Sequence, residues 1–378
     1  MDKLQPKTKV IVDETGLLDV PFLVLTLFLV VIGVLMMFSA SYARAYVETG
    51  NSAYYFARQG GFALGGIVVM LFVSRLNYQM WRTLSVPILL ASIFLLILVP
   101  IVGFGDDVGS RRWLSVFGIT FQPSEIAKVA VVLTFAAMIA SYREKMETLR
   151  FGVLPFVGIL GAIAFLLVLQ PHLSATIIIL TTGAVLMFLG GTKIRWFVIG
   201  GIVAVGGFLI YLEMQGYASV RISAWQDPFA DAQNSGFQIV QSLYAIGSGG
   251  LNGLGLGKSR QKYLYLPEEH NDYIFAVWCE EMGFLGAVFL IVLFLLLIMR
   301  GYWISIHAKD RFGSLVAAGF STLLLVQVFL NIGVVTNFLP STGISLPFFS
   351  YGGTALLIQL FEMGVILNIS RFNKRNLL

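Results

Sequence analysis

Apolar residues in this chain run in long unbroken stretches instead of alternating with polar ones. A helix needs about 20 such residues to cross the hydrocarbon core of a bilayer. Stretches of that size fall at 19–41, 57–75, 83–103, 124–141, 152–170, 173–191, 194–213, 271–300, 312–337 and 347–370. Gly, Pro or charged residues separate each from the next, most briefly at Gln170-Pro171 and Gly191-Thr192. The pattern predicts an all-α integral membrane protein, a polytopic bundle of about ten transmembrane helices. The longest connection, 214–271, lies between the seventh and eighth helices. No fixed-period repeat or low-complexity tract interrupts this plan. Residues 1–378 read as a single transmembrane domain with polar tails at 1–18 and 371–378.

Composition excludes the soluble alternatives. Only 12% of the residues are charged, 57% are hydrophobic, and the mean hydropathy is +0.85. A soluble domain carries roughly 25% charged residues to cover its surface, so the outer solvent of this chain must be lipid. The net charge of +5 calls for no nucleic-acid partner. One cysteine, Cys279, permits neither a disulfide framework nor a cysteine metal site. The polar N-terminal stretch is too long for a signal peptide, so the first apolar run reads as a retained anchor.

Charge also sets an expected orientation. If the N-terminus is cytoplasmic, 16 of the 25 basic residues fall on cytoplasmic segments, from Lys3, Lys7 and Lys9 to Arg371, Lys374 and Arg375. Short loops rich in Lys and Arg stay inside, which predicts that both termini are cytoplasmic. Three outer segments then stand out: 104–125, 214–271 and 337–350. The second holds enough aromatic and aliphatic residues to be ordered, and 234–248 reads as a short amphipathic helix at the outer interface.

Ionisable groups at membrane depth are expensive and therefore informative. Glu268, Glu269, His270 and Asp272 crowd the outer mouth of the eighth run. Asp272 stands where polar sequence gives way to Tyr273-Ile274-Phe275. Desolvation there raises a carboxylate pKa and suits a general base; equally, Asn271 or Asp272 could cap the helix that follows. Glu125 and Lys128, three apart at the start of the fourth run, form either an ion pair that shields two charges or one wall of a polar cavity. Arg111 and Arg112 sit outside, against the charge bias, and suit either a substrate phosphate or ordinary headgroups. Gln238 and Gln241 share a helix turn and could hydrogen-bond a sugar. The six glycines from Gly247 to Gly257, ending at Lys258, allow either close backbone approach to a ligand or simple loop flexibility. They form no P-loop, because position 252 is Asn. His172, His270 and His307 are scattered and suggest no histidine metal site. Glu280, Glu281 and Glu362 read as groups hydrogen-bonded within the bundle.

Three long blocks carry a resemblance. These are GSRRWLSVFGITFQPSEIAK at 109–128, DPFADAQNSGFQIVQSLYAIGSGGLNGLGLGKSRQKYLYLPEEHNDYIFAVWCEEMGFLG at 227–286, and NIGVVTNFLPSTGISLPFFSYGGTA at 331–355. In this order, on a ten-span pattern, they resemble the SEDS family (shape, elongation, division and sporulation) over nearly the whole chain. The wording around 227 and 247–268 is closer to the FtsW and SpoVE branch than to RodA. The resemblance implies a peptidoglycan glycosyltransferase in the bacterial cytoplasmic membrane that polymerises lipid II into undecaprenyl-linked glycan for division or sporulation. Implied partners are a class B penicillin-binding protein and other cell-wall synthesis or division proteins. The family's catalytic aspartate falls on Asp272, its Glu/Lys pair on Glu125 and Lys128, and its outer arginines on Arg111 and Arg112. Ser350, in the Ser-Tyr-Gly-Gly element, and His270 join the expected substrate-binding residues, with Gln238, Gln241 and Lys258. One position departs from the pattern: the family commonly reads Gln-Pro-Asp where this chain has Gln170-Pro171-His172.

The expected reaction is inverting glycosyl transfer at the outer face. Asp272 takes a proton from the attacking hydroxyl, and basic residues compensate the charge on a departing diphosphate. The sequence requires no cofactor, although a divalent ion (Mg or Mn) could share that compensation. A non-catalytic scaffold would leave the Asp272 cluster with no task beyond capping. A lipid II flippase would spread its charges through the bilayer, whereas here they gather at outer helix ends.

Overall fold

In the computed structural model the described residues are 16–105, 111–116, 118–214 and 216–372. Most of both polar tails, with Lys3, Lys7, Lys9, Lys374 and Arg375, lies outside them, as do Gly109 and Ser110. The helices are α1 (Val20–Thr49), α2 (Tyr54–Val73), α3 (Gln79–Val102), α4 (Pro123–Tyr142), α5 (Leu149–Gly152), α6 (Leu154–Val168) and α7 (Leu173–Leu189). They continue as α8 (Ile194–Met214), α9 (Gly216–Gln226), α10 (Phe237–Gly249), α11 (Ile274–His307), α12 (Arg311–Val335) and α13 (Gly353–Arg371). A small antiparallel hairpin, β1 (Leu114–Val116) and β2 (Ile119–Phe121), precedes α4.

Each of the ten apolar runs falls on a helix, and among the described residues eight helices are long and apolar enough to cross a membrane. The expected all-α bundle is therefore the fold. Burial sorts its layers. In α4 and α12, 72% of the apolar window is buried by protein, against 28% in α2 and α3. The first pair is the centre of the bundle, and the second faces outward to lipid. Asp19, whose carboxylate accepts from Phe22 N, starts α1, and left-handed Gly50 ends it.

Two elements differ from the hydropathy reading. The tenth run was expected to be helical from 347, but α13 begins only at Gly353. Pro347 and left-handed Phe348 (φ 66°) prevent a helix there, and the buried Phe348 and Phe349 rings make the stretch apolar without it. The eighth run is broken inside α11, at Gly283 (φ 66°, ψ −169°). The freed backbone groups pair with the glycine-rich loop: Phe284 N donates to Gly250 O (2.8 Å), while Leu254 N and Gly255 N donate to Glu280 O and Glu281 O (3.0 and 2.9 Å). A side chain at Gly283 would meet Gly253 N at 2.3 Å. These glycines do allow a close backbone approach, but to α11 and not to the ligand that the sequence reading offered.

Helix 234–248 also forms, as α10, three residues later than expected. It packs its Ile239, Val240, Ser242, Ala245 and Gly249 face inward.

Candidate functional site at the mouth of α11

The two ends of the bundle carry different polar networks. At one end Arg300 forks onto Asp19, with Nη2 to Oδ2 at 2.8 Å, and Asp310 accepts from Tyr78 and Gln79. These contacts join helix ends. The other end gathers Asp272, the hairpin and the segment 337–352.

Asp272 does not cap α11. Tyr273 is the N-cap and no side chain caps that terminus, so the capping alternative falls away. Instead the backbone around Asp272 is held rigid. Buried Asn331 of α12 donates from Nδ2 to Asp272 O (2.8 Å) and to Ile344 O (2.6 Å). Ser350 Oγ donates to Asn271 O (2.7 Å) and accepts from Leu346 N (2.7 Å). Tyr351 N donates to His270 O (2.9 Å). Ser350 is therefore committed to backbone, and its observed task is to position the segment that bears Asp272. Left-handed Gly343 (φ +68°) lies against the carboxylate itself: a Cβ there would stand 3.1 Å from Asp272 Oδ2.

The electrostatics of this carboxylate follow from its surroundings. Protein crowds it on most sides, with an opening left to solvent. Burial, helped by the nearby Glu268 charge, pushes its pKa up to about 6, while Arg112, Arg221 and His270 oppose the shift. Such a group is ionised at neutral pH yet basic enough to take a proton. Arg112 is tethered through Nη2 to Pro171 O (2.5 Å), and Arg221 through Nη1 to Ser341 O (3.0 Å). Arg111 turns the other way, exposed, donating to Pro100 O (3.1 Å) at the end of α3. The two adjacent arginines thus part company.

One level deeper, Lys128 Nζ lies 2.7 Å from Glu125 Oε2, both nearly buried, and 3.4 Å from Gln327 Oε1. Gln327 and Asn331 are one turn apart on α12, about 6 Å along its axis. The ion pair therefore lies about one turn below Asp272. Glu362 of α13 adds a second carboxylate to the field of this pair. His172 stands beside it, with Nε2 3.3 Å from Gln122 Nε2. Burial, reinforced by the Arg112 and Lys128 charges, pushes its imidazole down to about 3, so it is neutral at physiological pH. It cannot supply the negative charge that an aspartate would.

The outer loop is anchored by the two adjacent glutamates of α11. Glu281 accepts from Lys262 Nζ (2.9 Å) and Ser39 Oγ (2.7 Å); Glu280 accepts from Ser259 Oγ and from Arg260 N (3.0 Å). The sequence reading had them bonded within the bundle; Ser39 of α1 fits that, but Ser259, Arg260 and Lys262 belong to the loop. Gln238 reaches Pro267 O (3.4 Å), and Lys258 is exposed beside Gly255. Among the described residues, no hydrogen bond or ion pair brings Gln241 or Lys258 to Asp272. His270 is buried between aromatic rings two residues before Asp272.

Sequence reasoning passed over Arg44, Arg221 and Asn331. Arg44 forks onto the fully buried Glu269, with Nε to Oε1 at 2.8 Å and Nη2 to Oε2 at 2.9 Å. The available signal for both arginines was the one used for Arg111, a basic residue outside against the charge bias. Guanidiniums flank Asp272, and among the described residues no three of His, Cys, Asp or Glu come together as a metal site.

Comparison with known proteins agrees with this picture. The family model for cell cycle proteins of the FtsW, RodA and SpoVE type matches residues 20–375. Stage V sporulation protein E of Bacillus subtilis (strain 168) is 40% identical over 357 residues, spanning 94% of this chain and 98% of that protein. The probable peptidoglycan glycosyltransferase FtsW of Geobacter sp. (strain M18) is 39% identical over 353 residues, 93% and 96% of the two chains. Among solved structures, a chain from a peptidoglycan synthase complex that coordinates polymerization and crosslinking superposes with a TM-score of 0.78 at 27% identity, covering 94% of this chain and 98% of its own. The rod shape determining protein RodA of Thermus thermophilus does so with a TM-score of 0.70 at 26% identity, with the same coverage.

Proposed function

This chain belongs to the SEDS family, in its FtsW and SpoVE branch, and we propose that Asp272 is the general base with which it polymerises lipid II. The chain is a multi-pass membrane peptidoglycan glycosyltransferase. On our reading both termini are cytoplasmic and the Asp272 end faces outward. The observation that carries the assignment is a rigidly held, partly desolvated carboxylate flanked by two tethered guanidiniums.

The chemistry follows from that arrangement. The GlcNAc 4-hydroxyl of one lipid II attacks the anomeric carbon of the MurNAc that ends a growing chain. A carbon–oxygen bond forms with inversion, the bond to the diphosphate breaks, and the hydroxyl proton passes to Asp272. One carboxylate suffices, because a diphosphate leaves as an anion and needs positive charge nearby instead of a proton. Arg112 and Arg221 supply it, held in place by carbonyls so that little reorganisation accompanies charge development. Arg111, turned toward α3, contributes to headgroup contact at the rim. The Glu125–Lys128 pair, braced by Gln327, holds the floor of the site. A class B penicillin-binding protein is the partner expected to crosslink the product.

The test is lipid II polymerisation by the purified chain, with and without such a partner, followed as glycan strands across pH. A base must be deprotonated to act, so activity should rise about tenfold per pH unit below 6 and level off above it. A rate independent of pH between 4.5 and 7 would remove Asp272 from this role. The brace makes a second prediction. Gly343→Ala puts a Cβ against Asp272 Oδ2 in a left-handed conformation, and displacement of a catalytic group by about 1 Å costs on the order of 10²-fold in rate. We expect a loss of about ten- to a hundredfold with the folded protein retained on size exclusion; a wild-type rate would show that the carboxylate has room to move.

A further inference from the structure

An aromatic cup lies two residues from Asp272, on the α1/α2 side of the site, away from Arg112 and Arg221. Tyr55 of α2 faces the His270 ring at a centroid distance of 4.9 Å with 33° between planes. Tyr351 closes edge-on to Tyr55 at 4.9 Å, and Tyr54 extends the wall at 5.3 Å. The floor is fixed: buried Gln59, one turn along α2, donates to Ser350 O (3.1 Å) and accepts from Gly352 N (3.3 Å). The rim is open. Tyr54 is 39% exposed, Tyr55 and Tyr351 are half-buried, and Arg58 is exposed, its Nη1 3.3 Å from Tyr54 Oη.

A core does not need this construction. Aromatic rings that only fill space are buried on all sides, whereas these turn partly to the outside and carry hydroxyls and a guanidinium at their edge. Arg58 has no carboxylate within ion-pairing distance among the described residues; the neighbouring Glu48 pairs with Arg44 and accepts from the Tyr55 hydroxyl, and Glu269 belongs to Arg44. Rings with polar edges suit a pyranose, whose carbon–hydrogen face packs on an aromatic face while its hydroxyls bond at the rim. A guanidinium at headgroup level, held by the Tyr54 and Tyr351 hydroxyls and facing no carboxylate among the described residues, suits a diphosphate.

Position decides which saccharide this is. In the donor the diphosphate is attached to the reacting carbon itself, so its compensating cations must stand beside the base, as Arg112 and Arg221 do. In the acceptor two sugar rings separate the attacking hydroxyl from the diphosphate. A site for it needs the base, then a ring platform, then a cation, and Asp272, the Tyr55–His270–Tyr351 cup and Arg58 follow in that order. Consecutive Cα atoms are 3.8 Å apart, so His270 and Asp272 lie within about 8 Å, roughly the reach of one sugar unit. Resting on the general-base reading of Asp272, we propose that the Tyr55–His270–Tyr351 cup with Arg58 is the acceptor subsite, which binds the sugar-diphosphate head of the attacking lipid II.

The test uses the full chain in nanodiscs. Arg58→Glu should raise the apparent KM for lipid II by about tenfold, the worth of one hydrogen bond to a charged group, with the loss carried by KM and not kcat. Tyr351→Ala should do the same more weakly, and Tyr351→Phe should restore near-normal KM because the ring remains. Equilibrium binding of lipid II to the Asp272→Asn protein should show two sites per chain, one of them weakened about tenfold when Arg58→Glu is added. A donor-only lipid II, with its terminal 4-hydroxyl inverted, should still bind at one per chain. Unchanged KM and unchanged affinity at both sites would overturn the proposal. So would an Arg58→Glu protein that binds phosphatidylglycerol more weakly than wild type but binds lipid II unchanged, which would make the cup a site for ordinary headgroups. Wild-type turnover by Asp272→Asn would instead strike the general-base reading, whatever Arg58→Glu did, so the two failures are distinguishable.

Discussion

Asp272→Asn should lower lipid II polymerisation by about 10² to 10⁴, the usual contribution of a general base, while leaving the fold and lipid II binding in place. The substitution keeps the shape of the side chain and its fit against Gly343. Asn331 and Ser350 hold the backbone of this segment through carbonyls, which the change does not touch. Stability should not fall at neutral pH. The carboxyl pKa is raised from 3.8 to about 6 on folding, so above pH 6 the native state carries a charge it disfavours relative to the unfolded chain. That penalty disappears below pH 3.8, where both states are protonated. The Asn variant, uncharged throughout, should therefore melt at the same temperature as wild type or higher at pH 7.5, as is common when a functional charge is removed. Thermal unfolding in detergent, run beside the polymerisation assay, separates the two effects. An inactive variant that also fails to fold, or an active one, would each defeat the assignment.

Lys262→Met should destabilise the chain by about 3–5 kcal/mol, the cost of stripping one partner from a buried ion pair. Lys262 is 2% exposed and Glu281 is not exposed at all, and their contact at 2.9 Å is completed by Ser39 of α1. Without the ammonium, Glu281 keeps only the Ser39 hydroxyl and a long contact from Ser259 N (3.3 Å). The same contact ties the loop at 249–262 to α1 and α11, so the loss should appear first as faster proteolysis there. Lys262→Met with Glu281→Met should recover much of the stability, because two apolar side chains leave no orphan charge. Equal losses in the single and double variants would mean that packing, and not charge, holds the loop.

The helices were legible in the sequence because a bilayer imposes a local rule. Each spanning segment must be long and apolar whatever its neighbours do. The rule failed where apolar residues serve another purpose: Phe348 and Phe349 are buried in non-helical chain, and Gly283 breaks α11 because a neighbouring loop pairs with its backbone. The candidate site positions stood out for a related reason. Charge is rare in such a chain, so Asp272, Glu125, Lys128 and the outer arginines stood out. Their roles were less so. Arg111 and Arg112 are adjacent and chemically identical, yet only Arg112 belongs to the field of Asp272. Ser350 looked like a ligand-binding hydroxyl and is bound to Asn271 O. Arg44 and Arg221 were as conspicuous as the rest and were passed over, since nothing nearby in sequence named Glu269 or Asp272 as their counterparts.

The sequence by itself determined the class, the ten apolar runs and the family through three ordered motifs, and it singled out the carboxylate proposed here as the general base. Each is a property of one segment meeting one solvent, or of residue order. The tertiary structure alone decided which groups share a site. Gln59 meets Ser350 across 291 positions, Ser39 meets Glu281 across 242, and Arg44 meets Glu269 across 225. Lipid is as apolar as the helices it surrounds, so hydropathy cannot rank one helix pairing above another. Packing and the need to satisfy each buried polar group choose the partners, and both act only once the chain is folded.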